Sequence, residues 1–164
     1  MSTLTVWKFK TPDGAESALA KLEDLQKQEL IKVLDAAVVT WPTGRKKPKT
    51  YQAVSTVGVG ALGGAFWGML FGLIFLVPLF GMIVGAAAGA LSGKFTDYGI
   101  NDDFIKDLRD KVTEGTSALF LLTGQVTVDK VSEAFSPDEA GELIQSNLSA
   151  EQEAKLREDF GAEL

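Results

Sequence analysis

The stretch TYQAVSTVGVGALGGAFWGMLFGLIFLVPLFGMIVGAAAGALSG, residues 50–93, decides how this chain is read, because it contains no Asp, Glu, Lys or Arg. Its glycines are ordered. Gly60, Gly64, Gly68 and Gly72 recur at every fourth residue, and so do Gly81, Gly85, Gly89 and Gly93. At 3.6 residues per turn a four-residue step drifts slowly round a helix, so each ladder forms one smooth stripe that a second helix can approach closely. Glycine costs about 1 kcal/mol per helical position relative to Ala, and close small-residue packing in an apolar setting is what offsets it. Between the ladders, Val77 and Pro78 mark a reversal, since Pro lacks an N–H and disfavours helix at the residue before it. The expectation is an antiparallel glycine-zipper helical hairpin over residues 57–93.

A bilayer core of about 30 Å needs roughly 20 helical residues. The first arm, Val57 to Leu76, reaches that length; the second, Leu79 to Gly93, falls short unless it borrows Lys94 to Tyr98 or the bilayer thins. Both a spanning and a re-entrant hairpin are therefore open, and so is a buried helix pair in an aqueous fold. The hydroxyls Ser55, Thr56 and Ser92 stand near the ends, which leaves the arms without the polar stripe of an ordinary soluble helix. Arg45, Lys46, Lys47 and Lys49 precede the stretch and Lys94 follows it, so the positive-inside rule puts both termini on the cytoplasmic side of a bacterial inner membrane. Those five residues are the candidate lipid head-group contacts, with Trp41, Tyr51 and Tyr98 as candidate interfacial anchors.

Outside the stretch the composition is that of an ordinary globular chain. Residues 1–49 carry a net charge of +3 and residues 94–164 a net charge of −9, an acidic half that argues against nucleic acid. The absence of Cys excludes disulfides, thiolate nucleophiles and iron–sulfur ligation, and the absence of His removes the usual general base near neutral pH. The first 20 residues, with Asp13 and Glu16, do not form a cleavable signal peptide.

Leu4 to Lys10 alternates and predicts a half-buried strand. Thr11-Pro12-Asp13-Gly14 makes a turn into a helix carrying Ala15, Ala18, Leu19, Leu22 and Leu25 on one face. Ile31 to Trp41 and Lys49 to Ser55 read as two further strands. Asn101-Asp102-Asp103 starts a helix with Phe104, Ile105, Leu108 and Val112 inward, stopped by Gly115, and Ser117 to Thr123 is an apolar run suited to a central strand. A helix at Val128 to Phe135, a strand at Gly141 to Leu148 and a helix from Ala150 to Phe160, capped by Ser149 with Gln152, complete the chain. The expected fold is α+β. A ferredoxin-like domain of order β-α-β-β-α-β carries the hairpin between its third strand and second helix, with residues 1–56 and 94–164 as its two parts.

The segments Gly63-Gly64-Ala65-Phe66-Trp67-Gly68, Pro78-Leu79-Phe80-Gly81 through Gly93, and Tyr98-Gly99-Ile100-Asn101-Asp102-Asp103-Phe104-Ile105 resemble an uncharacterised bacterial family. It consists of small predicted membrane proteins with a domain of unknown function. The likeness continues through Leu108-Arg109-Asp110-Lys111-Val112 and Gly115 to Phe120. It implies membrane character and carries over no catalytic residue.

No other motif carries chemistry. Asp97, Asn101, Asp102 and Asp103 are oxygen-rich, but their spacing fails the calcium loop, and helix capping accounts for them. Asp102 with Lys106 and Glu151 with Lys155 are solvent-face pairs four residues apart. Gly93-Lys94-Phe95-Thr96 lacks the Lys-Ser or Lys-Thr of a phosphate loop, and Gly58 to Gly63 lacks the acidic partner of a dinucleotide site. No cofactor and no enzymatic activity are expected. The expected function is a membrane-associated scaffold or membrane-organising protein that forms homo-oligomers through the eight ladder glycines, with membrane lipid as its other partner. Two alternatives stay open: a soluble oligomer or shell with the hairpin at subunit contacts, and a small-ligand sensor.

Overall fold

The computed structural model describes residues 2–29, 33–52, 64–76, 93–134 and 142–160. Five strands, five α-helices and one π-helical segment are complete among them, and residues 93–97 are helical as well. β1 (Ser2–Phe9) is followed by α1 (Gly14–Lys27), β2 (Val33–Thr40) and β3 (Lys49–Gln52). Then come α2 (Gly64–Phe71), running directly into a π-helical segment (Gly72–Leu76), and α3 (Asp102–Lys111). The chain closes with β4 (Ser117–Thr123), α4 (Gln125–Ala134), β5 (Leu143–Leu148) and α5 (Ala150–Phe160).

The sheet order is β3-β2-β4-β1-β5, with each neighbouring pair antiparallel. Because β4 is antiparallel to both β1 and β2, those two run parallel, and α1 joins them across β4. In the same way α4 joins β4 to β5 across β1. Two β-α-β units are thus interleaved. The elements follow the expected β-α-β-β-α-β order along the chain, but a ferredoxin-like sheet built on it would seat the third strand between β1 and β2, and that place belongs to β4 while β3 lies at the edge beside β2. Every residue of β4 is buried, whereas Lys49, Thr50 and Tyr51 of β3 are exposed. A continuous apolar run is stabilised at the centre of a sheet covered on both faces, and a short polar strand suits an edge.

Helices cover both faces. On one side α1 and α4 enclose Trp7, Phe9, Ala36, Val38, Leu119 and Leu121. On the other, α2, the π-helical segment, α3 and α5 enclose Leu4, Val6, Ala37, Val39, Phe120 and Leu122. β1 is therefore buried on both faces rather than on one, because its second side belongs to the core cluster that the arm, α3 and α5 complete.

Local signals set the helix ends. Asn101 Oδ1 accepts from the Phe104 N–H at 2.9 Å, and Ser149 and Gln152 cap α5 reciprocally at 2.9 and 3.1 Å. At α1 the cap comes from across the fold. Asp13 makes no side-chain cap, and Ala15 N–H instead donates to Ser117 Oγ at 2.9 Å, while that hydroxyl donates to Thr11 O at 2.7 Å. Gly14 is required beside it, since a Cβ there would lie 2.4 Å from Phe9 Cβ. Gly115 does not cap α3, which already ends at Lys111; at φ +84° it forms the turn into β4 and donates to Trp41 O at 2.7 Å. α4 begins at Gln125, ahead of the expected Val128.

Candidate functional site

The arm Gly64–Leu76 has two sides. Phe66, Trp67, Leu70, Phe71, Ile74 and Phe75 fall at the helical spacing of a single face and are buried against the sheet and α3. Aromatic contacts continue that face into the core. Trp67 stacks on Phe71 at 5.9 Å between ring centroids, and Phe71 and Trp67 meet Phe120 edge-on at 5.1 and 6.2 Å. Each such pair contributes about 0.5–1.5 kcal/mol beyond area burial. The other side of the arm is bare. Gly68 and Met69 are exposed, and among the described residues a Cβ built at Gly68 or Gly72 would meet no atom within 4 Å.

At the arm's C-terminal end the carbonyls of Leu73 and Ile74 take donors from outside. Arg109 of α3 donates through its terminal guanidinium nitrogen to Leu73 O at 2.6 Å and through Nε to Ile74 O at 3.2 Å. The need is covalent in origin. In an α-helix Ile74 O would accept from the N–H of residue 78, and in a π-helix Leu73 O would accept from the same residue, which is Pro78 and has none. A cation at a helix C-terminus also meets the negative end of its dipole. In contrast, the indole N–H of Trp67 is buried without an acceptor, which costs about 1–3 kcal/mol.

The basic residues are split between the arm's two ends. Arg45, Lys46 and Lys47 on the β2–β3 connection and Lys49 at the start of β3 are all exposed. Trp41 fastens that loop by donating from Nε1 to Arg45 O at 2.9 Å, and its ring meets Phe75 edge-on at 5.9 Å. Lys94 is exposed next to Phe95, whose ring contacts Phe66 at 5.6 Å. Phe66 and Phe75 are nine residues apart, about 14 Å along a helix, so the two basic groups are associated with opposite ends of the arm.

Of the expected ladder, Gly68 and Gly72 lie on the bare side of the arm, Gly64 opens α2, and Gly93 is exposed with no atom within 4 Å of a built Cβ. Gly60, Gly81, Gly85, Gly89, Val77 and Pro78 lie outside the described residues. No helix among the described residues is long and apolar enough to cross a membrane. Tyr98 is no interfacial anchor. It is 2% exposed, and its hydroxyl donates to the Asp159 carboxylate of α5. Burial, then that hydrogen bond and the charges of Asp159 and Asp97, hold its phenol well above the ordinary value. Tyr51 is 43% exposed and reaches Glu16 at 3.3 Å.

Two residues escaped sequence reasoning. Arg109 reads as a surface residue of an amphipathic helix, and only Pro78 hinted that a donor was needed. Asp35, fully buried in β2, accepts from Ala36 N–H at 2.8 Å and from Gln52 Nε2 at 3.1 Å, tying β3 to the sheet. Among the described residues no group of three or more His, Cys, Asp or Glu could hold a metal ion.

A family model described as "protein of unknown function (DUF1269)" matches residues 61–161. No curated protein and no solved structure matches the chain.

Proposed function

The chain belongs to the family of proteins of unknown function described as DUF1269, and from that premise we propose that it is a non-enzymatic, membrane-associated protein that self-assembles through the glycine side of its apolar arm. The observation that carries this reading is the two-sidedness of α2: its large side chains are committed to the sheet, while Gly68 and Gly72 remain open to a second helix. Small residues on an uncovered helical side let backbones approach, which is the packing that holds helices together in apolar surroundings. Arg45, Lys46, Lys47, Lys49 and Lys94 add contacts to anionic head groups, about 1 kcal/mol for each one near the surface. The strands β2-β4-β1-β5 with crossovers α1 and α4 support a ferredoxin-like domain with β3 as an added edge, and a scaffolding or membrane-organising role follows. The membrane in question is the bacterial inner membrane, with both termini cytoplasmic.

Gly68→Leu and Gly85→Leu test the assembly: chemical cross-linking of the full chain in membranes is expected to lose its oligomer bands in both variants. Persistence of those bands unchanged refutes it. A second reading, a soluble homo-oligomer with the apolar stretch at subunit contacts, is favoured by the burial of Phe66 to Phe75 against the chain's own sheet. Alkaline carbonate extraction separates the two, since an integral protein stays in the pellet and a soluble assembly is released.

A further inference from the structure

We propose that the arm Gly64–Leu76 has two resting places, the sheet face on which it lies here and the interior of a lipid bilayer, and that Arg109 is the latch between them. The inference rests on the membrane association proposed above and adds its regulation. Three features of the docked arm point to it.

First, the face it covers is a complete binding surface for an apolar helix. Leu4, Val6, Ala37, Val39, Phe120 and Leu122 line the sheet, so an arm otherwise suited to lipid is sheltered from water without leaving its own chain. Second, docking is not fully satisfied. Trp67 Nε1 is buried without an acceptor, and the arm carries three glycines in the nine residues 64–72, Gly64, Gly68 and Gly72, each a weak helix former in an aqueous setting. Third, among the described residues one side chain ties the arm to its dock at two points: the guanidinium of Arg109 donates to both Leu73 O and Ile74 O, and Pro78, without an N–H, can serve neither Ile74 O at α-helical spacing nor Leu73 O at π-helical spacing. Charge-assisted hydrogen bonds of this kind are about twice as strong as neutral ones.

The same end of the arm is wired to the groups that would meet an anionic surface. Arg45 O accepts from Trp41 Nε1, and the Trp41 ring lies edge-on to Phe75. Engagement of the Arg45, Lys46, Lys47 and Lys49 loop by head groups would therefore pull on the arm one ring away from the Arg109 latch. Once the arm leaves, its large apolar side chains must stay out of water, which is why opening belongs at the bilayer and not in bulk water.

The absence of Cys from the chain makes single-cysteine reporters clean. Leu70 faces the sheet beneath the arm and Leu22 lies under α1 on the opposite side, both fully buried. With Leu70→Cys and Leu22→Cys in separate full-length proteins, labelling by a water-soluble maleimide in detergent-free buffer reports each face. Arg109→Met is expected to speed labelling at position 70 by about tenfold or more and leave position 22 unchanged. Arg109→Lys, which keeps one donor head, should fall between, and Pro78→Ala added to Arg109→Met should slow labelling again by restoring a backbone N–H. Sedimentation with phosphatidylglycerol vesicles should show Arg109→Met half-bound at a lipid concentration several-fold below wild type. Equal acceleration at both cysteines, or none at position 70, overturns the latch. Wild-type binding that Arg109→Met leaves unaltered overturns it too, whereas failure of every variant to bind vesicles overturns the membrane reading and the lipid resting place together.

Discussion

Phe71→Ala measures whether the apolar arm is structurally part of the domain. Phe71 is 6% exposed, with its ring 5.1 Å from Phe120, 5.9 Å from Trp67 and 6.3 Å from Phe75. Removing a buried phenyl forfeits about 1.5–3 kcal/mol of transfer free energy and part of three aromatic contacts, and it leaves a cavity that the sheet beneath cannot close. Buried Phe→Ala changes cost about 3–5 kcal/mol in total. For a chain of this size each kcal/mol lowers Tm by about 2–4 °C, so a fall of roughly 6–20 °C is expected. Thermal unfolding followed by circular dichroism in detergent-free buffer is the assay. Met69→Ala is the matched control. It lies on the same helix but is 40% exposed, and its effect should stay within about 0.5 kcal/mol. If Phe71→Ala falls within about 1 kcal/mol of wild type, the arm does not contribute to the fold in water, and the reasoning built on its docking is wrong.

Alkaline pH and a buried carboxylate give two further predictions. The Tyr98 phenol holds its proton more tightly in the folded state than in the unfolded chain, so its contribution to stability is present below about pH 10 and is lost as pH climbs from there toward the raised folded value. Tyr98→Phe should flatten the decline of urea midpoints between pH 10 and about 11, at a cost of about 1 kcal/mol near neutrality; a decline as steep as wild type contradicts the assignment. Asp35→Leu strips the acceptor from the buried Ala36 N–H and is expected to cost about 2 kcal/mol or more in urea unfolding, while Asp35→Asn, which keeps one carbonyl oxygen, costs less. Equal losses in both would show that the carboxylate is not what fastens this site.

Most of the local structure could be read from short-range chemistry. α5 runs over the residues expected because Ser149 and Gln152 need only each other to form the cap. α3 starts where Asn101 can reach three residues on. β4 was recognisable as central from its unbroken apolar run, which only a strand covered on both faces tolerates. Strand neighbours were not legible in the same way. Adjacency in sequence sets only the β2–β3 hairpin, whereas the slot between β1 and β2, which a ferredoxin-like order gives to the third strand, is decided by which strand can bury both faces. The candidate site divides similarly. The glycine periodicity is present in the sequence, but only the structure shows that Gly68 and Gly72 lie on the side of the arm away from its buried aromatics, and Tyr98 was misjudged because an aromatic beside an apolar stretch has the same composition whether it anchors at an interface or fills a core.

By itself, then, the sequence determined an α+β chain without thiol or imidazole chemistry, holding one uncharged glycine-periodic stretch between a mildly basic and a strongly acidic part. Only the tertiary structure decided where Phe66 to Phe75 go. An apolar helical side is stabilised equally by lipid tails and by a sheet face, and nothing in its own residues separates the two. The choice seen here depends on Phe120, Val39 and Leu122 presenting a matching face, and on an arginine 35 positions along the chain from Ile74 that supplies the donor a proline withholds.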